Sequence, residues 1–375
     1  MREGMKVDKT KWENALIKDS IKTLKVKDAV QKKDYLLTGK YPIISQEKDF
    51  ISGYCNIEDN LNEVLEEVII FGDHTRIVKY VDFDFCVGAD GVKVLRPNNK
   101  LSTKYLNYFI KWSNIPSNGY SRHFKFLKEI EIKYPKDKSI QQTIASELDA
   151  IQTMVDGYKA QLADLDTLAQ SIFLDMFGDP VTNPKGWNLQ TLKEVCSHIV
   201  DCPHSTPQKS AIPTEYPCIR TSELTDSGIE WNTMQYLNEE EYLKRTHRLK
   251  PQFGDLIYGR EGTVGGCIMV PKEKHFSLGQ KTMLFRPSKI NSYFLLAIIR
   301  SPWIRNQAEL KTVGQTVKHI NIKDIIEFTI PVPPRTLQQH FATQVEAIEL
   351  QKELLRQQLA DAETLMAERM QYYFS

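Results

Sequence analysis

Residues that could perform catalysis were sought first in this chain of 375 residues. The glycine-rich stretch 262–266 (GTVGG) is a turn-rich loop and not a nucleotide cradle. The sequence contains no Walker-type phosphate loop, no dinucleotide-binding fingerprint, no G-x-S-x-G elbow and no Asp/Asn-Pro-Pro-Tyr/Phe methyltransferase motif. We therefore predict a non-catalytic chain that itself carries no cofactor.

One cluster of soft ligands deserves comparison with metal sites. Cys196, His198, Cys202 and His204 follow the pattern C-x-H-x₃-C-x-H. Four such ligands within nine residues could hold zinc, but the spacing is not that of a common zinc finger. We expect these side chains to be unliganded, and the prediction for metal is none.

The polar loops carry the chemistry that suits nucleic acid. Hydroxyl, imidazole, amide and cationic side chains gather in irregular stretches such as 201–209 (DCPHSTPQK) and 72–76 (GDHTR). Such groups contact base edges and phosphates, although a solvated polar loop looks the same. The candidate DNA-binding residues are Arg76, Lys79, Arg122, Lys125, His204, Thr206, Lys209, Arg220, Arg260, Thr263, Gln315 and Lys318.

Two repeated stretches must position these loops. Residues 139–177 and 336–374 align at a constant offset of 197, which pairs Gln141 with Gln338 and Phe177 with Phe374. Apolar residues recur at alternating steps of three and four, a heptad seam that predicts one long helix in each copy. The chain path requires the two helices to run antiparallel if they pack together.

The remaining segments read as mixed α/β structure, and they repeat the same order of elements. We predict an α+β fold with two globular domains at 1–135 and 179–334. Two long helices, at 136–178 and 335–375, join them as an antiparallel coiled coil with pseudo-two-fold internal duplication. The globular segments 1–135 and 178–334 carry net charges of +4 and +3, and the helical segments 136–177 and 335–375 carry −4 and −2. The basic segments are thus better suited to phosphate than the helices are.

Several phrases carry a resemblance to a known family. The first segment contains GYCN and GDHTR, and the second contains DCPHSTP, FGDLIYGREGTVG and GQTVKHINIKDIIEFTIPVPP. The phrase SIFLDMFGDPVTNPKGW follows the first long helix. In this order, and with the duplication, the chain resembles the specificity subunits of type I restriction-modification systems. The family often has D-G-P-H where this chain has Asp201-Cys202-Pro203-His204, which puts in doubt a backbone role that needs glycine.

The resemblance implies that each recognition domain reads one half of a split sequence in double-stranded DNA. Two methyltransferase subunits would dock on the helices, and restriction/translocase subunits would join through them. S-adenosylmethionine, ATP and Mg²⁺ would belong to those partners. We expect the acidic helix faces to form the docking surface, with Glu147, Asp156, Asp164, Glu346, Glu353 and Glu363.

Two other functions compete with this interpretation. A coiled-coil scaffold whose end domains bind proteins would show no DNA binding with a steep salt dependence. A single-chain methyltransferase or nuclease would need motifs that the sequence lacks. No run of 18 apolar residues exists and the first 20 residues lack an apolar signal core, so we expect a cytoplasmic chain without a membrane span.

Overall fold

The chain forms two units, which are described separately. A computed structural model describes residues 7–116, 119, 121–225, 228–262, 264–272, 274–314 and 319–375. Unit 1 comprises Met1–Lys159 with Gln357–Ser375, and unit 2 comprises Ala160–Arg356. Each unit therefore combines one globular segment with parts of both repeated helices.

The first globular segment is rich in short strands. Its elements, with the long helix that follows, are β1 (Trp12–Leu16), α1 (Ile17–Ser20), β2 (Ile21–Thr23), β3 (Tyr41–Ile44), β4 (Gly53–Cys55), β5 (Leu61–Asn62), β6 (Val68–Gly72), β7 (Val78–Val81), β8 (Phe85–Val87), β9 (Val92–Pro97), α2 (Thr103–Trp112), α3 (Phe124–Lys128), β10 (Glu131–Pro135) and α4 (Lys138–Phe177). The strands form an antiparallel β1–β10 pair and two four-stranded sheets, ordered β2-β9-β6-β7 and β4-β3-β8-β5.

The second segment follows the same plan with different loops. Its elements are β11 (Asn188–Thr191), α5 (Leu192–Val195), β12 (Cys196–Asp201), β13 (Tyr216–Ile219), β14 (Leu224–Thr225), β15 (Gly228–Ile229), β16 (Gln235–Leu237), α6 (Glu239–Thr246), β17 (Leu256–Gly259), β18 (Cys267–Met269), β19 (Ser277–Leu278), β20 (Thr282–Pro287), α7 (Ser292–Arg300), α8 (Pro302–Lys311), α9 (Ile322–Ile325), β21 (Thr329–Val332) and α10 (Arg335–Phe374).

The sheets of unit 2 largely repeat those of unit 1, although β5 has no counterpart in the matching sheet and β14–β15 forms a separate pair. The pair β11–β21 corresponds to β1–β10, and the sheet β12-β20-β17-β18 corresponds to β2-β9-β6-β7. The sheet β16-β13-β19 corresponds to β4-β3-β8, and in both the central strand pairs in parallel with one neighbour. The predicted mixed fold with internal duplication is confirmed. The apolar stretch 325–332 reads in the sequence as one strand, but the structure has a helical turn at Ile322–Ile325 and a strand only from Thr329.

The two long helices are confirmed, each with 40 residues and thus about 60 Å long. Asp137 begins α4, since its carboxylate accepts a hydrogen bond from the Ser139 N–H at 2.8 Å. Gly178 ends it with a φ of +77°, a left-handed conformation that favours glycine. No helix in the described ranges is long and apolar enough to cross a bilayer.

The helices run antiparallel within each unit. In unit 1, Glu147 of α4 accepts a hydrogen bond from the Tyr373 hydroxyl at 2.7 Å, and Lys159 pairs with Glu363 at 2.9 Å. In unit 2, the Lys352 ammonium lies 2.7 Å from the Asp166 carboxylate. In these contacts the residue numbers rise along α4 while they fall along α10, which is the antiparallel direction that the sequence predicted.

Each globular core closes on the end of a long helix. In unit 1, the Phe374 ring packs edge-on against Tyr105 of α2, with centroids 5.3 Å apart. In unit 2, Phe177 packs in the same way against Phe294 of α7, with centroids 4.7 Å apart. The residues paired by the repeat therefore occupy equivalent positions in the two cores.

Candidate nucleic-acid interface

In unit 1, the residue at the start of the β6–β7 turn, Asp73, joins that turn to the loop at 121–125. The Asp73 backbone carbonyl accepts hydrogen bonds from the His123 N–H at 2.7 Å and from His123 Nδ1 at 2.9 Å. The Asp73 carboxylate accepts another from the Phe124 N–H at 2.7 Å. This aspartate is 3% exposed, so it acts as an internal tie between the turn and the loop at 121–125.

Gln46 ties the loop after β3 to the same turn. Its side-chain carbonyl accepts a hydrogen bond from the His74 N–H at 3.1 Å, and its backbone carbonyl accepts one from the Thr75 hydroxyl at 2.8 Å. Its amide donates to the Asp90 carbonyl at 2.6 Å. A Cβ on Gly91, whose φ is +89°, would lie 2.9 Å from the Gln46 amide nitrogen, so this approach requires glycine. The loops at 46–52, 73–77 and 121–125 thus form one continuous surface, the unit 1 loop surface.

Three of the predicted residues lie on the unit 1 loop surface. Arg76, Arg122 and Lys125 are exposed, and Arg76 has a φ of +63°. The Arg76 guanidinium donates to the Ile115 carbonyl at 2.8 Å, and this hydrogen bond holds the Arg76 side chain at the rim of an open cleft. The cleft measures about 330 Å³ and is lined by Thr75, Arg76, Val78, Ile110, Lys111, Ser113, Asn114 and Ile115. Arg76 and Lys111 thus place two cations at the rim of this cleft, an arrangement that suits a phosphate.

The prediction for Lys79 needs correction. Its side chain is buried, and its ammonium donates to the backbone carbonyls of Asp49 and Phe50, the latter at 3.2 Å. Burial lowers the pKa of this lysine. Lys79 therefore anchors the 46–52 loop from inside and does not face solvent, where DNA would bind.

In unit 2, a buried arginine that sequence reasoning missed holds the loop at 202–209. Arg245 of α6 donates to the carbonyls of Ser205 at 3.1 Å, Pro203 at 3.3 Å and Leu278 at 3.2 Å. Its side chain is 1% exposed. Arg245 lies among charged residues in α6 (EEEYLKRT), so its sequence context does not distinguish it from an exposed surface cation. The loop is thus pre-shaped by the fold beneath it.

His204 stands at the surface of that loop, beside an internal ion pair. Arg260 donates to the Asp201 carboxylate through Nε at 3.1 Å and Nη2 at 3.4 Å. His204 Nε2 lies 3.1 Å from the same carboxylate, and its side chain is 77% exposed. His204 is therefore placed to meet a ligand. Arg260 is only 14% exposed and engaged by Asp201, so its predicted role as a DNA contact is corrected to a supporting one.

Arg220 also has a structural position. Its Nε donates to the Glu223 carboxylate at 3.1 Å, and its Nη2 donates to the Thr233 carbonyl at 3.1 Å. Glu223 is fully buried, so it needs this cation as a partner. Arg220 is corrected from a DNA contact to an internal tie. Thr206 and Lys209 are exposed on the neighbouring loop, as predicted residues of an interface should be. Thr263, Gln315 and Lys318 lie outside the described residues.

The cysteine–histidine cluster does not assemble. No group of three His, Cys, Asp or Glu side chains that could hold a metal ion occurs among the described residues. Cys202 is buried in a hydrophobic cluster, where burial raises the pKa of its thiol. Its φ is not positive, so the backbone at this position accommodates a residue other than glycine.

The predicted docking residues on the long helices are not all equally exposed. Asp156, Asp164, Glu346, Glu353 and Glu363 are exposed. Glu147 is not an outward-facing residue, because it accepts hydrogen bonds from Tyr373 and, at 3.1 Å, from Arg369 of the facing helix. The prediction for Glu147 is therefore corrected. Beside the acidic residues, Leu350 and Leu354 of α10 are 67% and 62% exposed. These leucines are part of no predicted seam, and their i, i+4 spacing places them on one helix face.

Known proteins resemble this chain along almost its whole length. The family model for the type I restriction modification DNA specificity domain matches residues 9–165 and 184–364. The type I restriction enzyme MjaVIII specificity subunit of Methanocaldococcus jannaschii is 22% identical over 382 residues, which cover 92% of this chain and 88% of that protein. The type I restriction enzyme EcoR124I/EcoR124II specificity subunit of Escherichia coli is 24% identical over 372 residues, with the same two coverages of 92% and 88%.

The fold matches as well. A crystal structure of a type I restriction-modification system S subunit from M. genitalium has a TM-score of 0.65 with 14% identity, and the match covers 99% of this chain and 98% of that one. The two matches to one family domain fall on the two copies of the duplicated fold. The chain thus belongs to the type I restriction modification DNA specificity domain family, as a specificity subunit with two DNA specificity domains.

Proposed function

We propose that this specificity subunit reads a split DNA target, with one half-site read by each unit. The observation that carries the proposal is the repeated topology with unlike loops, with one loop in each unit held by a buried cation. A shared scaffold with different surface loops is what two readers of different sequences require. Arg76, Arg122 and Lys125 would contact DNA in unit 1, and His204, Thr206 and Lys209 in unit 2. Thr263, Gln315 and Lys318 stay in the proposed set.

The helices would hold the partner subunits. Two methyltransferase subunits would dock on the outer helix faces, where exposed acids stand beside Leu350 and Leu354. Apolar residues at the centre of a patch with a charged rim are typical of protein interfaces. Restriction/translocase subunits would join the complex, which would act in the cytoplasm. S-adenosylmethionine, ATP and Mg²⁺ would be bound by those partners.

The decisive experiment is methylome sequencing of cells that carry this chain with its methyltransferase subunit. We expect one split, asymmetric motif that disappears when the gene for this chain is removed. A methylome that does not change on removal would contradict the proposal. The purified chain alone should transfer no labelled methyl groups to DNA, because the catalytic subunits are absent.

DNA binding separates the proposal from the protein-scaffold alternative. Fluorescence anisotropy with duplex DNA should give an affinity that falls steeply with salt, because cations that neutralise phosphates release counterions. Binding that does not depend on salt, or no binding in the assembled complex, would favour the scaffold.

Charge reversal tests the docking face. Asp164→Lys with Glu353→Lys should weaken co-purification of the methyltransferase subunits, while half-site binding is retained. Asp59→Lys, which reverses one exposed charge in the first globular segment, is the control. Loss of DNA binding with intact co-purification would show that the roles of helices and loops are reversed.

A further inference from the structure

Two buried glutamines occupy the same position in the two long helices. Gln141 is 0% exposed and Gln338 is 1% exposed, and they are equivalent residues in the repeat. Glutamine is seldom fully buried, and a buried amide must find hydrogen-bond partners. Their neighbours Gln142 and Gln339 are exposed on the same helical turns, so burial is specific to one position of each pair.

In unit 1, Gln141 makes three hydrogen bonds to backbone groups. Its amide nitrogen donates to the carbonyls of Pro135 at 2.8 Å and Lys100 at 2.9 Å. Its carbonyl oxygen accepts from the Ser102 N–H at 2.7 Å. Both amide donors are thus used, and the side chain joins three segments of the fold.

In unit 2, Gln338 repeats two of these three hydrogen bonds. Its amide nitrogen donates to the Pro333 carbonyl at 2.8 Å, and its carbonyl oxygen accepts from the Asn291 N–H at 2.8 Å. Pro135 and Pro333 both end the last strand of their unit, or follow it directly. Ser102 and Asn291 are the N-cap residues of α2 and α7. The same elements are therefore tied in the same way twice.

These contacts lie where each globular segment passes its chain to a long helix. A buried apolar residue could fill this space, but it would not fix direction, because dispersion contacts are not directional. A fully hydrogen-bonded buried polar group instead selects one geometry. The amide therefore defines the angle between the first turn of the helix and the recognition domain of the same unit.

We propose that Gln141 and Gln338 are positioning residues that fix each recognition domain on its helix and so restrict the DNA gap that the subunit tolerates. This inference rests on the proposed function, because the gap exists only if both units read DNA. Neither residue touches DNA in this role, and the half-site sequences are left to the loops.

The test compares Gln141→Met, Gln338→Met and the double variant with the control Gln142→Met. The complex with the methyltransferase subunits is given duplexes that carry the native half-sites with the native gap, or with one base pair more or fewer. For each protein, the methylation rate on the duplex with the altered gap is divided by the rate on the duplex with the native gap. We expect this ratio to rise at least tenfold in the double variant. The control should keep the wild-type ratio. A double variant that methylates the native duplex with an unchanged ratio would overturn the inference.

A gentler variant covers the case in which methionine prevents folding. Ser102→Pro removes the N–H group that donates a hydrogen bond to the Gln141 side-chain carbonyl, and it leaves Gln141 itself unchanged. The φ of −77° at this position suits proline. This variant should show the same relaxed gap, and a wild-type ratio in a folded Ser102→Pro protein would count against the proposal.

A second readout does not depend on DNA. Spin labels at Lys25 and Asp156, both exposed in unit 1, report the distance between the recognition domain and its own helix. Gln141→Met should broaden that distance distribution and Gln142→Met should not. If wild-type complexes methylate no split site while the broadening occurs, the proposed function fails and the positioning role stands. An unchanged distribution in a folded variant refutes the positioning role itself.

Discussion

Removing one heptad from each long helix tests whether the helices set the DNA gap. Deleting residues 160–166 and 352–358 removes facing segments, as the contact between Asp166 and Lys352 shows. The seam stays in phase because apolar residues repeat every seven positions. The aromatic contacts at Phe177 and Phe374 lie outside the deletions, so each core keeps its packing.

The expected change follows from helix geometry. Seven residues at 1.5 Å each shorten a helix by about 10 Å. DNA rises about 3.4 Å per base pair, so the unread gap should become up to about three base pairs shorter. Three base pairs also correspond to about a third of a turn of the duplex, so we expect binding to weaken as well as the gap to change.

Methylome sequencing of cells that carry the paired deletion measures both outcomes. The half-site sequences should stay the same, because Arg76, Arg122 and His204 remain in their loops. A length-preserving control with alanine at the exposed Gln161 and Gln357 should keep the native gap. An altered half-site with an unchanged gap would refute the reasoning, because the helices would then not measure the DNA.

Four further predictions concern individual side chains. All six cysteines are buried, and burial raises the pKa of the Cys218 thiol to about 11, so iodoacetamide at pH 8 should modify the native chain slowly and the urea-unfolded chain fully. Lys352→Leu should leave the melting temperature unchanged or raise it, because the lysine is buried while its partners Asp166 and Glu349 are exposed and stay hydrated without it; a fall of several degrees would contradict this. Arg245→Met leaves three backbone carbonyls without their donor and should cost about 3 kcal/mol by urea denaturation, against less than about 0.5 for the exposed Lys244→Met. Arg122→Ala and Lys125→Ala should each reduce the log-log salt slope of DNA binding by about one, and an unchanged slope would exclude that residue as a phosphate contact.

The sequence was sufficient to predict the long helices, because a heptad seam is a regular signal that packing in the fold reinforces. Phe177 and Phe374 could be paired by number alone, and the structure places Phe374 against α2 and Phe177 against α7. The antiparallel direction followed from the chain path. A short apolar run that ends at glycine, as at Val68–Gly72, reads as a strand in the sequence and is a strand in the structure.

The candidate site was harder to predict because charge alone does not tell where a side chain points. Lys79, Arg220 and Glu147 were chosen as surface residues, yet each is held by groups inside its own unit. No local pattern distinguishes a buried cation that binds carbonyl oxygens from an exposed one that binds phosphate. The ties through Asp73 and Gln46 join segments about 30 to 50 residues apart in sequence, and such pairs have no periodic signal.

The buried cations suggest how one protein scaffold could read different DNA sequences. Lys79 and Arg245 bind carbonyl oxygens, and a backbone carbonyl is present whatever side chain a loop residue carries. A substitution at His204 or Thr206 therefore leaves the contacts of Arg245 with Pro203 and Ser205 in place. The loop keeps its course while the side chain that it presents at the surface changes. In the proposed function, base preference and loop geometry would thus be carried by different atoms, and the reading surface could vary without a new fold.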